Sequence, residues 1–202
     1  MPEITDRRTN VEEEYFRRKE RELIKRLRQK AEEEIQRKDL ADAIGLENQE
    51  ILDILQEMGF DRATVVLLYL VPLLEVAWSD GSVSDEEKRL IHEAAKSHGI
   101  SEGTAAYAML GRWLESKPDA VLFQRALKVI RDITGFQSDE AWQTSGRKII
   151  TACEKIAAAS GGFLGLGPKI SSEEKAVLRR VVTEIERAHT EAAARVSSAL
   201  EP

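Results

Sequence analysis

Val76-Ala77-Trp78-Ser79-Asp80-Gly81-Ser82-Val83-Ser84-Asp85-Glu86-Glu87-Lys88 decides the fold, because its pattern occurs a second time. The second copy is Ile156-Ala157-Ala158-Ala159-Ser160-Gly161, resumed after an insertion at Ile170-Ser171-Ser172-Glu173-Glu174-Lys175. Before the glycine the two copies share residue type, small or apolar. After it they are close to identical. An apolar helical run, a glycine turn and a fresh acidic start, given twice, predict two related helix-loop-helix units.

Two accounts of the motif stand side by side. Ser84-x-x-Glu87 and Ser171-x-x-Glu174 are capping boxes, in which serine oxygen and glutamate carboxylate satisfy amides at a helix start. Gly81 supplies a turn with positive φ. On the other account Asp80, Asp85 and Glu87 converge on the turn as oxygen ligands for a hard cation, Ca²⁺ or Mg²⁺. The spacing is not that of an EF-hand loop. Capping leaves Asp80 unexplained, and Ser160 stands at its place in the second copy.

Outward from the motif, the chain reads as helices separated by Gly and Pro. Gly45 and Gly59 bracket a short helix over 47–58. Asp61 is an N-cap candidate for a helix running to about Ser79, apolar nearly all round and bent near Pro72. Further helices are expected over 84–97, closed by His98-Gly99, then 101–116, 119–134, 138–160 and from Ser171 towards Ala199. No segment alternates as a strand would. The fold class is therefore all-α: a compact helical bundle with two related helix-loop-helix units. The expected organisation is a charged helix over 1–39, a connecting helix over 40–59 and the helical domain over 60–202.

Residues 1–39 differ in kind. Blocks of opposite charge alternate, as in Arg17-Arg18-Lys19 and Glu32-Glu33-Glu34, and no Gly or Pro lies between Glu3 and Asp39. Phe16, Leu23, Leu27 and Ala31 fall on one narrow face, with Ile24 and Ile35 beside it. Such a stripe is too narrow to be a core and must dock on the bundle, a second copy or a partner. Tyr15, Phe16, Leu23 and Leu27 are the candidate partner-binding residues, since aromatics on a polar helix anchor well in partner pockets.

Composition narrows the classes. The 202 residues carry a net charge of -6, which argues against nucleic acid as a partner. Cys153 is the one cysteine, which excludes an internal disulfide and a thiolate cluster. It sits in an apolar helical run and is expected in the core, as are Trp78, Trp113 and Trp142. The start of the chain lacks the pattern of a signal peptide, so a cytoplasmic location is the default expectation. His92, His98 and His189 form no metal-binding pair by spacing. Gly161-Gly162-Phe163-Leu164-Gly165 follows no strand and precedes no Lys-Ser/Thr, unlike a phosphate loop. Phe163 and Leu164 are candidates for contact with a partner or a membrane surface.

Ala77-Trp78-Ser79-Asp80-Gly81-x-Val83-x-x-x-Glu87, on an all-helical background, resembles the TerB-like family, named for tellurite resistance. The likeness covers roughly residues 60 to 195. It implies a helical bundle with acidic sites in a family implicated in metal and stress responses. Carried over, Asp80 and Glu87 are the acidic positions of the first copy and Glu174 that of the second. Ser160 and the long loop 161–168 depart from the pattern. Separately, Glu12-Glu13-Glu14-Tyr15-Phe16-Arg17, followed by Lys19, Glu20, Glu22, Leu23 and Leu27, is similar to the inhibitory helix of the mitochondrial ATP synthase inhibitor protein. The expected function is a non-catalytic binding or adaptor module with a protein partner, in a stress- or metal-related setting. The alternatives are a regulator that docks on a partner ATPase through its first helix, and a divalent-cation sensor. Homo-oligomerisation is compatible with each.

Overall fold

The computed structural model describes residues 3–134, 139–159 and 172–200, with side chains over 14–133, 146–159 and 172–187. These residues form eight α-helices and no strand. The first, α1 (Glu3–Ile44), is 42 residues long, or about 63 Å at 1.5 Å per residue. Phe16, Leu23, Leu27 and Ile35 are each more than half exposed along it. The helix crosses residue 39 without a break, and its last turns are where it joins the bundle. Leu40 and Ala41 are buried, and Arg37 pairs with Asp53 of the next helix.

That helix is α2 (Gln49–Glu57), capped by Asn48, whose side chain accepts from the Ile51 N–H at 3.1 Å. Its apolar face buries Ile51, Leu52 and Leu55.

The single bent helix expected from Asp61 to Ser79 is not what forms. Asp61 caps a tight turn: its Oδ1 accepts from the Ala63 and Thr64 amides at 3.0 and 2.9 Å and from the Thr64 hydroxyl at 2.7 Å. Thr64 Oγ1 in turn accepts from the Asp61 N–H at 2.9 Å. This reciprocal ring starts a 3₁₀ helix over Val65–Leu70. Only then does α3 (Val71–Ala77) begin, with Pro72 in its first turn, where a missing N–H costs no helical bond. A further 3₁₀ turn, Trp78–Asp80, ends the segment.

α4 (Asp85–Ser97), α5 (Ala105–Glu115), α6 (Ala120–Thr134), α7 (Asp139–Ala159) and α8 (Ser172–Leu200) complete the bundle. α5 starts later than the sequence predicts. Thr104 is its N-cap and accepts from the Tyr107 amide at 3.1 Å.

The two repeat units are α3–α4 and α7–α8, and their packing is reciprocal. α3 lies on α7; α8 crosses onto α3, and α4 crosses onto α7. Each unit's second helix thus covers the other unit's first. Val76 and Ala77 are buried in one unit, and Ile156 and Ala157 at the matching places in the other. Cys153 is fully buried, as expected of a small apolar side chain in such a run. Lys128–Glu50 and Arg125–Glu57 pairs, each at 2.8 Å, join α6 to α2 across an exposed surface, where such pairs contribute little. None of the described helices is long and apolar enough to cross a membrane.

Candidate functional site

The turn between α3 and α4 gathers the repeated residues. Trp78 opens it, buried to 9% exposure, and its indole N–H donates to the Trp113 carbonyl at 2.8 Å. Trp113 itself meets Phe60 edge to face, with centroids 6.1 Å apart. The Lys117 ammonium donates to the Trp78 carbonyl at 2.9 Å. One tryptophan thus ties the motif to the C-terminal end of α5 by its side chain and to Lys117 just beyond it by its backbone.

Asp80 is exposed, and its Oδ1 accepts from the Ser82 amide at 3.0 Å. A short acidic side chain bonding the amide two residues on is an Asx turn. Gly81 follows at φ 95°, where a β-carbon would be strained. Asp80 thus has a local role in shaping the turn.

Ser84 then caps α4 in a complete capping box. Its amide and hydroxyl both donate to Glu87 Oε2 at 2.7 Å, and the Glu87 amide donates to Ser84 Oγ at 3.3 Å.

Glu87 is unusual in being buried, at 1% exposure. Its Oε1 is enclosed without a hydrogen-bond partner. Burial pushes its carboxyl above the ordinary carboxylate range, and the nearby charges of Asp80 and Glu174 push the same way. Glu174 is buried as well, at 2%. It is the residue that matches Glu87 in the second unit. The packing of each unit on the other thus brings the matching carboxylates close enough to repel. The hydrogen bonds from the Ser84 hydroxyl and amide pull the other way without cancelling the effect of burial.

The third predicted acidic ligand behaves differently. The Asp85 carboxylate is fully exposed and stands 4.0 Å from the Lys88 ammonium. Among the described residues no three His, Cys, Asp or Glu side chains gather as a metal site. His92 packs on Tyr107, with ring centroids 5.4 Å apart, and His98 stacks on Tyr69. Ser160, Ser171, Phe163 and Leu164 lie outside the described residues, so the second capping box and the glycine loop do as well. So do the side chains of Trp142 and His189. Tyr15, Phe16, Leu23 and Leu27 all stand exposed on α1, far along the chain from its buried root at Leu40.

Sequence reasoning missed Glu75. It lies in the apolar run of α3 with a side chain 12% exposed and pairs with Arg180 of α8. A lone carboxylate among Leu73, Leu74, Val76 and Ala77 was the available signal. An open cleft of about 440 Å³ lies between α4 and α7, floored by Leu73, Leu90 and Ile156 and edged by Arg147, Lys148 and Lys155.

No family model, curated protein or solved structure matches this chain. The likeness to TerB-like proteins therefore rests on the motif residues alone.

The buried glutamate gives a pH-dependent expectation. A carboxyl raised in the folded state is stabilising below its unfolded pKa, and that contribution is lost as pH rises through the folded value. Glu87→Gln keeps an acceptor for Ser84 and removes the charge. The mutant is expected to gain stability relative to wild type as pH rises from about 4 to about 7. Glu87→Ala also deletes the cap and should be about 0.5–2 kcal/mol less stable than Glu87→Gln at pH 7. Urea melts across this range check both; a difference between wild type and Glu87→Gln that does not change with pH refutes the buried-charge reading.

Proposed function

We propose that this chain is a non-catalytic binding module: a helical bundle that holds out a long helical arm on which another macromolecule docks. The observation that carries the reading is the contrast within α1. Its root at Leu40 and Ala41 is buried in the bundle, while Tyr15, Phe16, Leu23, Ile24, Leu27 and Ile35 remain exposed beyond it. Large apolar side chains in that number along one helix mark an interaction face. The repeated motif has a structural role on this reading, since its Trp, Asp, Gly, Ser and Glu each complete the turn. Its likeness to TerB-like proteins points to a stress-related assembly as the setting.

The test compares the wild-type chain with Leu23→Glu/Leu27→Glu in crosslinked capture from native extract. Both leucines are more than half exposed, so thermal melting of the variant is expected to stay within a few degrees of wild type. Loss of a specific crosslinked partner, with folding intact, supports the reading. Identical capture by both proteins moves the interaction face off the arm.

A further inference from the structure

Cations at the helix seams of this bundle meet carboxylates across them. Arg37 pairs with Asp53, Lys128 with Glu50, Arg125 with Glu57, Arg131 with Glu184 and Arg180 with Glu75. With 36 acidic side chains against 30 basic in the chain, carboxylates are not scarce. The cleft between α4 and α7 departs from this pattern. Arg147, Lys148 and Lys155 stand exposed along its α7 edge, and among the described residues no ion pair or hydrogen bond engages their side chains. Glu93, the one carboxylate among the described residues that line the cleft, is held by Arg89 of its own helix. The His98 imidazole, just past the end of α4, is held below its ordinary range by burial, and the charge of Lys148 adds to this. The cleft therefore keeps its cations unanswered.

Its shape follows from side-chain size. Ala94 of α4 and Ala152 of α7 both line it, partly buried against the core, and a longer side chain at either place would fill it. Leu73, Leu90 and Ile156 make the floor aliphatic. At about 440 Å³ the cleft has the size of a small-molecule site, and such sites join an apolar lining to a few polar groups that fix orientation. Lys148 and Lys155 lie two turns apart on one face of α7, about 10 Å along the axis. Their flexible four-carbon stems allow both ammonium groups to swing onto one anion.

We propose that the cleft binds an amphipathic organic anion: a carboxylate carried on an alkyl chain. The chain lies along the aliphatic floor, and the carboxylate accepts charge-assisted hydrogen bonds from the basic edge. Each half of the ligand answers one half of the cleft. An uncharged chain leaves the cations without a counter-charge, and a short anion leaves the floor wet. The site belongs to the bundle and does not depend on what docks on α1.

The experiment titrates octanoate into the full, isotope-labelled chain at pH 7 and low salt, followed by amide NMR. Saturable shifts centred on Leu90, Ala94, Thr151 and Ala152 are expected, with a Kd on the order of 1 mM or tighter. Octanol keeps the chain and loses the charge, acetate the reverse, and each is expected to bind at least about tenfold more weakly. Lys148→Gln/Lys155→Gln should weaken octanoate about tenfold, and Ala152→Leu, which fills the cleft, should remove the shifts. Raising the salt should weaken binding in the wild type, because the basic edge is exposed. No saturable shift up to about 10 mM octanoate overturns the proposal. So do shifts centred away from α4 and α7, octanol binding as tightly as octanoate, and a double glutamine variant that keeps its affinity. The substituted lysines are exposed, and unchanged circular dichroism separates a lost site from a lost fold. The comparison of octanoate with octanol and acetate uses the wild-type chain alone, so it decides the matter whatever the variants do.

Discussion

Trp78→Ala is expected to lower the free energy of unfolding by about 3–5 kcal/mol, out of a total of roughly 5–15 for a domain of this size. Two effects add at this position. The indole is buried between the motif turn and α5, so its removal leaves a cavity. The Trp113 carbonyl loses its donor at 2.8 Å, and an acceptor left unsatisfied in a buried place costs about 1–3 kcal/mol. That bond is the turn's tie to α5; the Lys117 bond to the Trp78 carbonyl, from just beyond the helix, remains. Trp78→Phe separates these effects, since it retains most of the ring volume and deletes the donor. It should cost about 1–3 kcal/mol. Urea melts read both, and near-ultraviolet circular dichroism reports whether the remaining packing is fixed. A loss below about 1 kcal/mol for Trp78→Ala would show that the repeated motif does not depend on its tryptophan.

The same turn shows what the sequence discloses and where it stops. Ser84-x-x-Glu87 is a local signal, and the structure forms the whole box, because both partners lie within one helical turn. Gly81 is local too. Asp80 was ambiguous in sequence because an acidic residue before a glycine suits a cation or an Asx turn equally. Coordinates settle its bond to the Ser82 amide. The closeness of Glu87 to Glu174 is of another order. No spacing rule places two residues from different units together; the packing of α4 on α7 and of α8 on α3 does so.

The helical character of the chain was legible because Gly and Pro punctuate apolar runs of helical length. The conformation of Val65–Leu70 was not. Val65, Leu67, Leu68 and Leu70 are buried, Val66 and Tyr69 partly so, and a run apolar at every position has no hydrophobic period with which to tell 3.0 residues per turn from 3.6. The Asp61–Thr64 ring decides it, and a cap that begins an α-helix looks the same in sequence. Along α1 the legible part was the stripe. The root was missed because Leu40 and Ala41 follow a highly charged stretch and carry little periodic signal of their own, although the helix runs on to Ile44.

That root makes α1 a helix of two energetic regimes, and one substitution made twice distinguishes them. Leu40→Ala is expected to cost about 2–5 kcal/mol, because the side chain is fully enclosed and its loss leaves a cavity where α1 meets the bundle. Leu27→Ala, the same chemistry on the same helix, should cost within about 0.5 kcal/mol in dilute protein, since its side chain is 57% exposed. The Arg37–Asp53 pair is partly exposed and does not compensate for Leu40. Chemical denaturation of the two variants measures this. Equal losses for the two variants in dilute protein would mean that the arm folds back on the bundle. A small loss for Leu40→Ala would mean that the arm is tethered by its backbone alone. If both expectations hold, α1 is fixed where it leaves the bundle and free along the length where a partner is proposed to dock.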